Sequence, residues 1–346
     1  MAIAARRLAG IARGATRLTR APRPTILLYH RVARVATDPQ LLSVTPERFV
    51  EQLQLIADMR DLVSLADLVR HRDERRYRQA VAVTFDDGYS DNLHGAKPLL
   101  ERAGVPATVF VTSGHVGGVR PFWWDELEEL LLWPGRLPTR LSVEVGKETL
   151  HWELGNDANY SAEHMALRRG WNLLEPERHG PRQELYRRLC QRLRPLEDSE
   201  RERTLESLRS VAERVPRDDE APRPLTGEEL TRLADGGLVE IGAHTVTHPV
   251  LSRLAEGRQE EEVAGSKRAL EELIDRPVES FAYPYGGPGD VDEMTVSVVR
   301  RTGFRRACAT EGGPRRARRD AFRLPRMVVR DWSAAELERR LVGTTS

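Results

Sequence analysis

Two cysteines, Cys190 and Cys308, are all that 346 residues contain. That is too few for a disulfide framework, and the helix-like and strand-like text around them marks both as core fillers. No apolar run approaches the ~20 residues that a membrane span needs. A basic excess is also missing: 54 Lys and Arg face 53 Asp and Glu, a formal charge of +1, which argues against a general nucleic-acid binder. Lysine is scarce, at Lys97, Lys147 and Lys267 only, so Arg carries nearly all the positive charge. We read that skew as coding bias on solvated helix faces. What remains is typical of a soluble globular chain, 40% apolar and 31% charged. Its length suits one large domain or two small ones, with a sizeable core.

Residues 1–24 hold six Arg and no acid. Ile3, Leu8, Ile11, Ala15 and Leu18 fall on one helical face, yet Arg interrupts every apolar stretch, so no signal-peptide core forms. The segment reads as a basic tail, or as a weak membrane-surface helix in which each basic residue adds ~1 kcal/mol near anionic lipid. The expected location is the cytoplasm, with membrane-surface contact through this tail. Residues 25–346 are then one domain.

Strand and helix signals alternate beyond the tail. Thr25–His30, Gln79–Phe85, Ala107–Thr112, Leu238–Ala243, Ser280–Tyr283, Arg306–Ala309 and Arg323–Val329 read as short buried strands. Helices are expected from Thr45 to about Met59, Ser64–His71, Asn92–Arg102, Thr226–Ala234, Glu256–Ile274, Asp290–Thr302 and from about Ala334. Repetition of this kind implies an α/β fold with a mostly parallel sheet. A strand count near eight predicts a distorted (β/α) barrel, in which chemistry gathers at the carboxyl ends of strands. Residues of about 121–224 break the pattern with helices at Phe122–Leu132, Glu163–Leu174, Gln183–Leu193 and Glu200–Val215. A hairpin around Gly146-Lys147 lies among them. This block reads as a helical insertion flanking the cleft.

Four polar clusters fall at expected strand ends. In Thr84-Phe85-Asp86-Asp87-Gly88, adjacent carboxylates can divide the work, one binding a cation and the other handling a proton, or they can cap a turn. In His244-Thr245-Val246-Thr247-His248, two imidazoles on one helical turn would face the same way, a common spacing for a divalent metal, though the pair also occurs by chance. Phe281-Ala282-Tyr283-Pro284-Tyr285-Gly286-Gly287 suits a groove wall, where the Tyr285 N–H could meet an oxyanion, or an ordinary Pro-Gly turn. His30, in Leu28-Tyr29-His30-Arg31, is a candidate proton donor or a structural histidine. Phe122-Trp123-Trp124 either stacks on sugar rings or packs a helix onto the barrel.

The order TFDDG, HTVTH, FAYPYG resembles the polysaccharide deacetylase family, carbohydrate esterase family 4, over residues of about 25–115 and 225–330. The resemblance implies a distorted (β/α) barrel, a divalent metal that is usually zinc, and removal of N-acetyl groups from amino sugars. By motif it makes Asp86 the catalytic base, Asp87, His244 and His248 the metal ligands, and Tyr285 the residue whose N–H holds the oxyanion. Two positions depart from the family pattern. Ala282 stands where the family commonly has the Arg that pairs with the base, and Arg326 of Leu324-Pro325-Arg326 is the candidate replacement. The late Leu-x-His motif that supplies the acid is missing, since no His follows His248. The early Tyr29-His30 motif, similar to that of exopolysaccharide-type members, makes His30 the expected acid. The implied partner is an N-acetylated sugar rather than a nucleic acid. Another amide or imide hydrolase on this scaffold, and a non-catalytic carbohydrate-binding protein, remain as alternatives.

Overall fold

A computed structural model describes residues 23–117, 120–176, 180–215, 222–310 and 320–343. The tail at 1–22, with the membrane contact expected of it, lies outside the described residues. Nine short strands form one parallel sheet, eight of them along its main path: β1 (Thr25–Tyr29), β2 (Ala80–Phe85), β3 (Ala107–Val111), β4 (Val239–Ala243), β5 (Ser280–Ala282), β6 (Arg306–Ala309), β7 (Leu324–Pro325) and β8 (Met327–Val328), with Asp61–Leu62 paired beside β2. Their spatial order is β7-β6-β5-β4-β3-β2-β1-β8, every neighbouring pair parallel. β2, β3, β5 and β6 are buried at every position, as expected where both faces of a parallel sheet are covered.

The sheet closes on itself through one residue. β7 pairs with β6 (Cys308 opposite Leu324) and β8 with β1 (Leu27 opposite Met327). Arg326 alone separates these two edge strands, so the chain bridges the two ends of the sheet and makes a distorted (β/α) barrel. Around it lie α1 (Pro46–Met59), α2 (Leu65–His71), α3 (Lys97–Ala103), and, after the insertion, α8 (Gly227–Ala234), α9 (Glu256–Ile274), α10 (Glu293–Arg301) and α11 (Ala334–Gly343). A capping box opens α8, where Thr226 and Glu229 satisfy each other's backbone N–H groups. The helix expected over Asn92–Arg102 begins instead as a π-helical turn, Asn92–Ala96. The wider turn accompanies a close approach: a Cβ on Gly95 would lie 2.2 Å from the Val32 carbonyl oxygen.

The block expected as an insertion holds α4 (Trp123–Leu132), α5 (Ala162–Leu167), α6 (Pro181–Leu193) and α7 (Asp198–Val211), with a hairpin of Arg140–Val145 and Glu148–Glu153. It has its own apolar cluster, including Phe122, Leu127, Leu131, Leu185, Leu189 and Leu205. The helix expected over Glu163–Leu174 stops at Leu167, because Trp171 turns inward and the Leu173 N–H donates to the Pro39 carbonyl at 2.9 Å. Among the described residues no helix is long and apolar enough to cross a membrane. Cys190 and Cys308 are both free and buried, and burial pushes each thiol up to about 12.

Candidate metal centre

The Asp86-Asp87 pair leaves the carboxyl end of β2. The Asp86 N–H still donates to the Tyr29 carbonyl at 3.0 Å, so the strand ladder aims this side chain. The backbone then reverses, with φ +74° at Asp87 and +85° at Gly88. A Cβ at Gly88 would also stand 2.9 Å from Val111 Cγ1, so only glycine meets both demands.

His244 and His248 follow β4, but not on the helical turn that their spacing suggested. Thr245 and His248 adopt left-handed φ of +65° and +58°, and residues 244–250 form an irregular loop. The physical reason is a competing acceptor. Glu262 of α9 takes the Val246 and Thr247 N–H groups at 2.8 Å each and the Thr247 hydroxyl at 2.7 Å. A carboxylate thus replaces the carbonyls that a helix would offer. The His244 Nδ1–H donates to the Ala282 carbonyl at 2.8 Å, which leaves its Nε2 lone pair facing Asp87.

The three side chains converge. His244 Nε2 and His248 Nε2 lie 3.6 and 3.4 Å from Asp87 Oδ1, and all three donor atoms fall within 4.8 Å of one another. Bonds of ~2.0–2.2 Å at tetrahedral angles require donor separations of about 3.3–3.6 Å, so both measured edges fit a small divalent cation. Burial raises the Asp87 carboxyl well above its ordinary value, and Asp86 and Asp125 reinforce the effect. Burial lowers His248 well below the ordinary imidazole value and lowers His244 in the same direction. The two imidazoles and the buried carboxyl thus bring two nitrogen donors and one oxygen donor to a common point, a set suited to a divalent cation.

Asp86 stands beside this triangle, its Oδ2 3.8 Å from His244 Nε2. Arg326 grips it with two bonds, Nη1 to Oδ1 at 2.6 Å and Nη2 to Oδ2 at 2.7 Å. Burial pushes the Asp86 carboxyl up, but the guanidinium, helped by His244, more than offsets it and holds the group below the usual carboxylate value. Arg326 thus reaches Asp86 from the barrel seam. Tyr285 follows β5 with φ +61°, and its N–H has no acceptor among the described residues. Its ring packs edge-on to His248 at 4.8 Å. His30, at the end of β1, lines the same cavity, and burial pushes it down to about 4 against the pull of Asp86. Among the described residues, six non-glycines have positive φ, and Asp87, Thr245, His248 and Tyr285 are four of them. Concentrated backbone strain of this kind marks functional sites.

A cavity of about 420 Å³ opens over these groups. Trp123, Trp124, Leu173 and the Arg187, Cys190, Gln191 and Arg194 stripe of α6 form its outer wall. Phe122 is wholly buried and stacks on Trp124 at 4.8 Å, so that aromatic segment both packs α4 and faces the cavity. Two contributors had no usable sequence signal. Glu262 stands in a run of three Glu and cannot be told from its neighbours. Arg201, one of many Arg, is fully buried and donates to the Leu193, Arg194 and His248 carbonyls at 3.1, 3.0 and 3.2 Å.

Fold and site together define a parallel-barrel protein in which one carboxylate and two imidazoles could hold a single cation, with a clamped free carboxylate beside them. The sequence profile of the polysaccharide deacetylase family matches residues 73–132 and 211–307. YxkH of Bacillus subtilis (strain 168), which carries the same family description, is 32% identical over 65 residues, 19% of this chain and 23% of YxkH. The fold is shared with the Streptococcus pyogenes deacetylase PplD, solved with acetate (TM-score 0.54, 18% identity, 93% of this chain and 99% of that one). It is shared equally with IcaB from Ammonifex degensii (TM-score 0.54, 18% identity, 93% and 98%). Over those two matched segments, which make up less than half of its length, the chain is similar to the polysaccharide deacetylase family.

Proposed function

We propose that this protein is a metal-dependent hydrolase that removes an N-acetyl group from an amino sugar or glycoconjugate. One observation carries the reading: an O, N, N donor triangle and an Arg-clamped carboxylate share one cavity at the carboxyl ends of the strands. Asp87, His244 and His248 would hold the cation, and two imidazoles with one carboxylate suit zinc. When bound, such an ion supplies Lewis acidity, lowering the pKa of a water molecule and polarising the amide carbonyl.

The chain's own groups do the rest. Asp86, kept ionised by Arg326, accepts the proton of the attacking water. As the water oxygen bonds to the amide carbon, the Tyr285 N–H donates to the oxygen on which charge develops. The C–N bond breaks while His30 delivers a proton to the nitrogen, yielding acetate and a free amine. His30 is neutral at rest, so the proton it delivers is one received during the cycle, and the proton taken by Asp86 is available for it.

The test is acetate release from N-acetylglucosamine oligomers by chelator-treated protein with and without added zinc. Release should require the metal and fall by about 10²-fold or more in Asp86→Asn. Equal rates in wild type and Asp86→Asn reject the base assignment. His30→Ala should depress turnover with bound metal unchanged, and loss of metal would make His30 a ligand instead. Cleavage of simple amides or imides but of no N-acetyl sugar would move the reaction to another substrate class.

A further inference from the structure

The catalytic groups Asp86, Asp87, His244, His248 and Tyr285 all lie in the segments that match the family, whereas α6 lies between them, outside the match. One stripe of α6, at Leu185, Tyr186, Leu189 and Leu193, is buried in the insertion's core. The adjoining stripe, Arg187, Cys190 and Gln191, with Arg194 just past the helix end, lines the catalytic cavity. Spacings of three and four residues put these four on one face.

The charges on that face are unevenly matched. Arg194 is paired with Asp290 through Nη2, at 2.8 and 2.6 Å to the two carboxylate oxygens. Arg187 forms no ion pair among the described residues. Its Nη2 donates to the Glu175 carbonyl at 2.6 Å, and its guanidinium lies 5.6 Å from the Trp171 ring centroid. Its Nε is buried with no hydrogen-bond partner. The cavity's own carboxylates do not answer this charge: Asp86 is held by Arg326, and Asp87 faces two imidazoles. A side chain on the cavity wall, positioned through one nitrogen and with its charge unmatched, is arranged to receive an anion.

We propose that α6 selects a substrate bearing an anionic substituent, a phosphate or a carboxylate, on the N-acetylated sugar, with Arg187 as the main contact and Arg194 at the rim. This rests on the deacetylase reading of the same cavity and adds the substrate's charge. A neutral sugar offers Arg187 only uncharged oxygen acceptors, whereas an anionic one makes the stronger charge-assisted bonds.

The experiment is calorimetric binding to the full chain, with and without zinc, of N-acetylglucosamine, N-acetylglucosamine 1-phosphate and N-acetylmuramic acid. At least one anionic sugar should bind about tenfold or more tighter than the neutral one, and which one does names the substituent. That preference should collapse in Arg187→Gln and survive in part in Arg187→Lys, which keeps the charge. Should Arg187→Gln fail to fold by circular dichroism, Arg187→Lys together with the salt dependence of wild-type binding gives the reading: partial loss and weakening at high salt support the site. Equal affinities in wild type overturn the proposal, as does a preference that persists in Arg187→Gln or exists only with zinc bound. Acetate release measured in parallel separates the two readings. An anion preference without hydrolysis keeps the Arg187 site and removes the deacetylase, and hydrolysis without preference does the reverse.

Discussion

A carboxylate out of water stays ionised only if a cation sits against it, and Asp86 owes that cation to Arg326. Arg326→Gln leaves burial as the dominant influence, so the Asp86 carboxyl rises. A base works only above its own pKa, so the acid limb of the rate profile for acetate release should move to higher pH. Because one partner of a buried pair is lost, urea unfolding should also show a cost of about 3 kcal/mol or more. An unmoved limb with unchanged stability would remove Arg326 from both roles. Tyr285 allows a different separation. Tyr285→Gly keeps the N–H and relaxes φ +61°, so if the backbone acts, the rate stays within about tenfold. A loss of 10²-fold or more would assign the work to the phenol ring. The identities of Asp86, Asp87, His244, His248 and Tyr285 were legible because polar residues at strand ends stand out against apolar text. Their conformations were not: four of the site's residues take left-handed φ, none of them is glycine, and local sequence carries no warning of that strain.

Helices and strands show the same division. Caps are local chemistry, so Ser64 before α2 and the Thr226–Glu229 box at α8 appear where their side chains predict. Thr45 precedes α1 as expected, yet its hydroxyl donates to Asp331 at 2.8 Å rather than capping the helix. That partner lies 286 residues away in sequence, beyond any local rule. The loop between the two histidines depends just as much on a distant element, since Glu262 of α9 takes its N–H groups. Glu262→Ala should weaken cation binding by about 10- to 100-fold, read by competition against a chelator, with the barrel still folded by circular dichroism. Unchanged affinity would show that the loop holds its shape alone.

At the scale of the molecule, two features join parts that the chain keeps apart. The segment 324–328 pairs with β6 on one side and β1 on the other, so barrel closure and the clamp on Asp86 are one event. Arg201 then ties the 121–224 block to the His244–His248 loop, bonding the carbonyl end of α6 and the His248 carbonyl at once. Arg201→Met, similar in length but without donors, should leave those carbonyls unsatisfied, loosen α6 to limited proteolysis and lower cation affinity by roughly tenfold. Proteolysis and affinity that stay at wild-type levels would mean the insertion is energetically separate from the site. The residues alone determined the alternation of strands and helices and the chemical character of each strand end, because burial periodicity and side-chain type are local properties. Only the folded chain decided that Asp87 meets two histidines more than 150 residues further on, that Arg326 pairs with Asp86, and that α6 walls the cavity. Those are contacts between elements, set by barrel closure and core packing, and no stretch of sequence contains both partners.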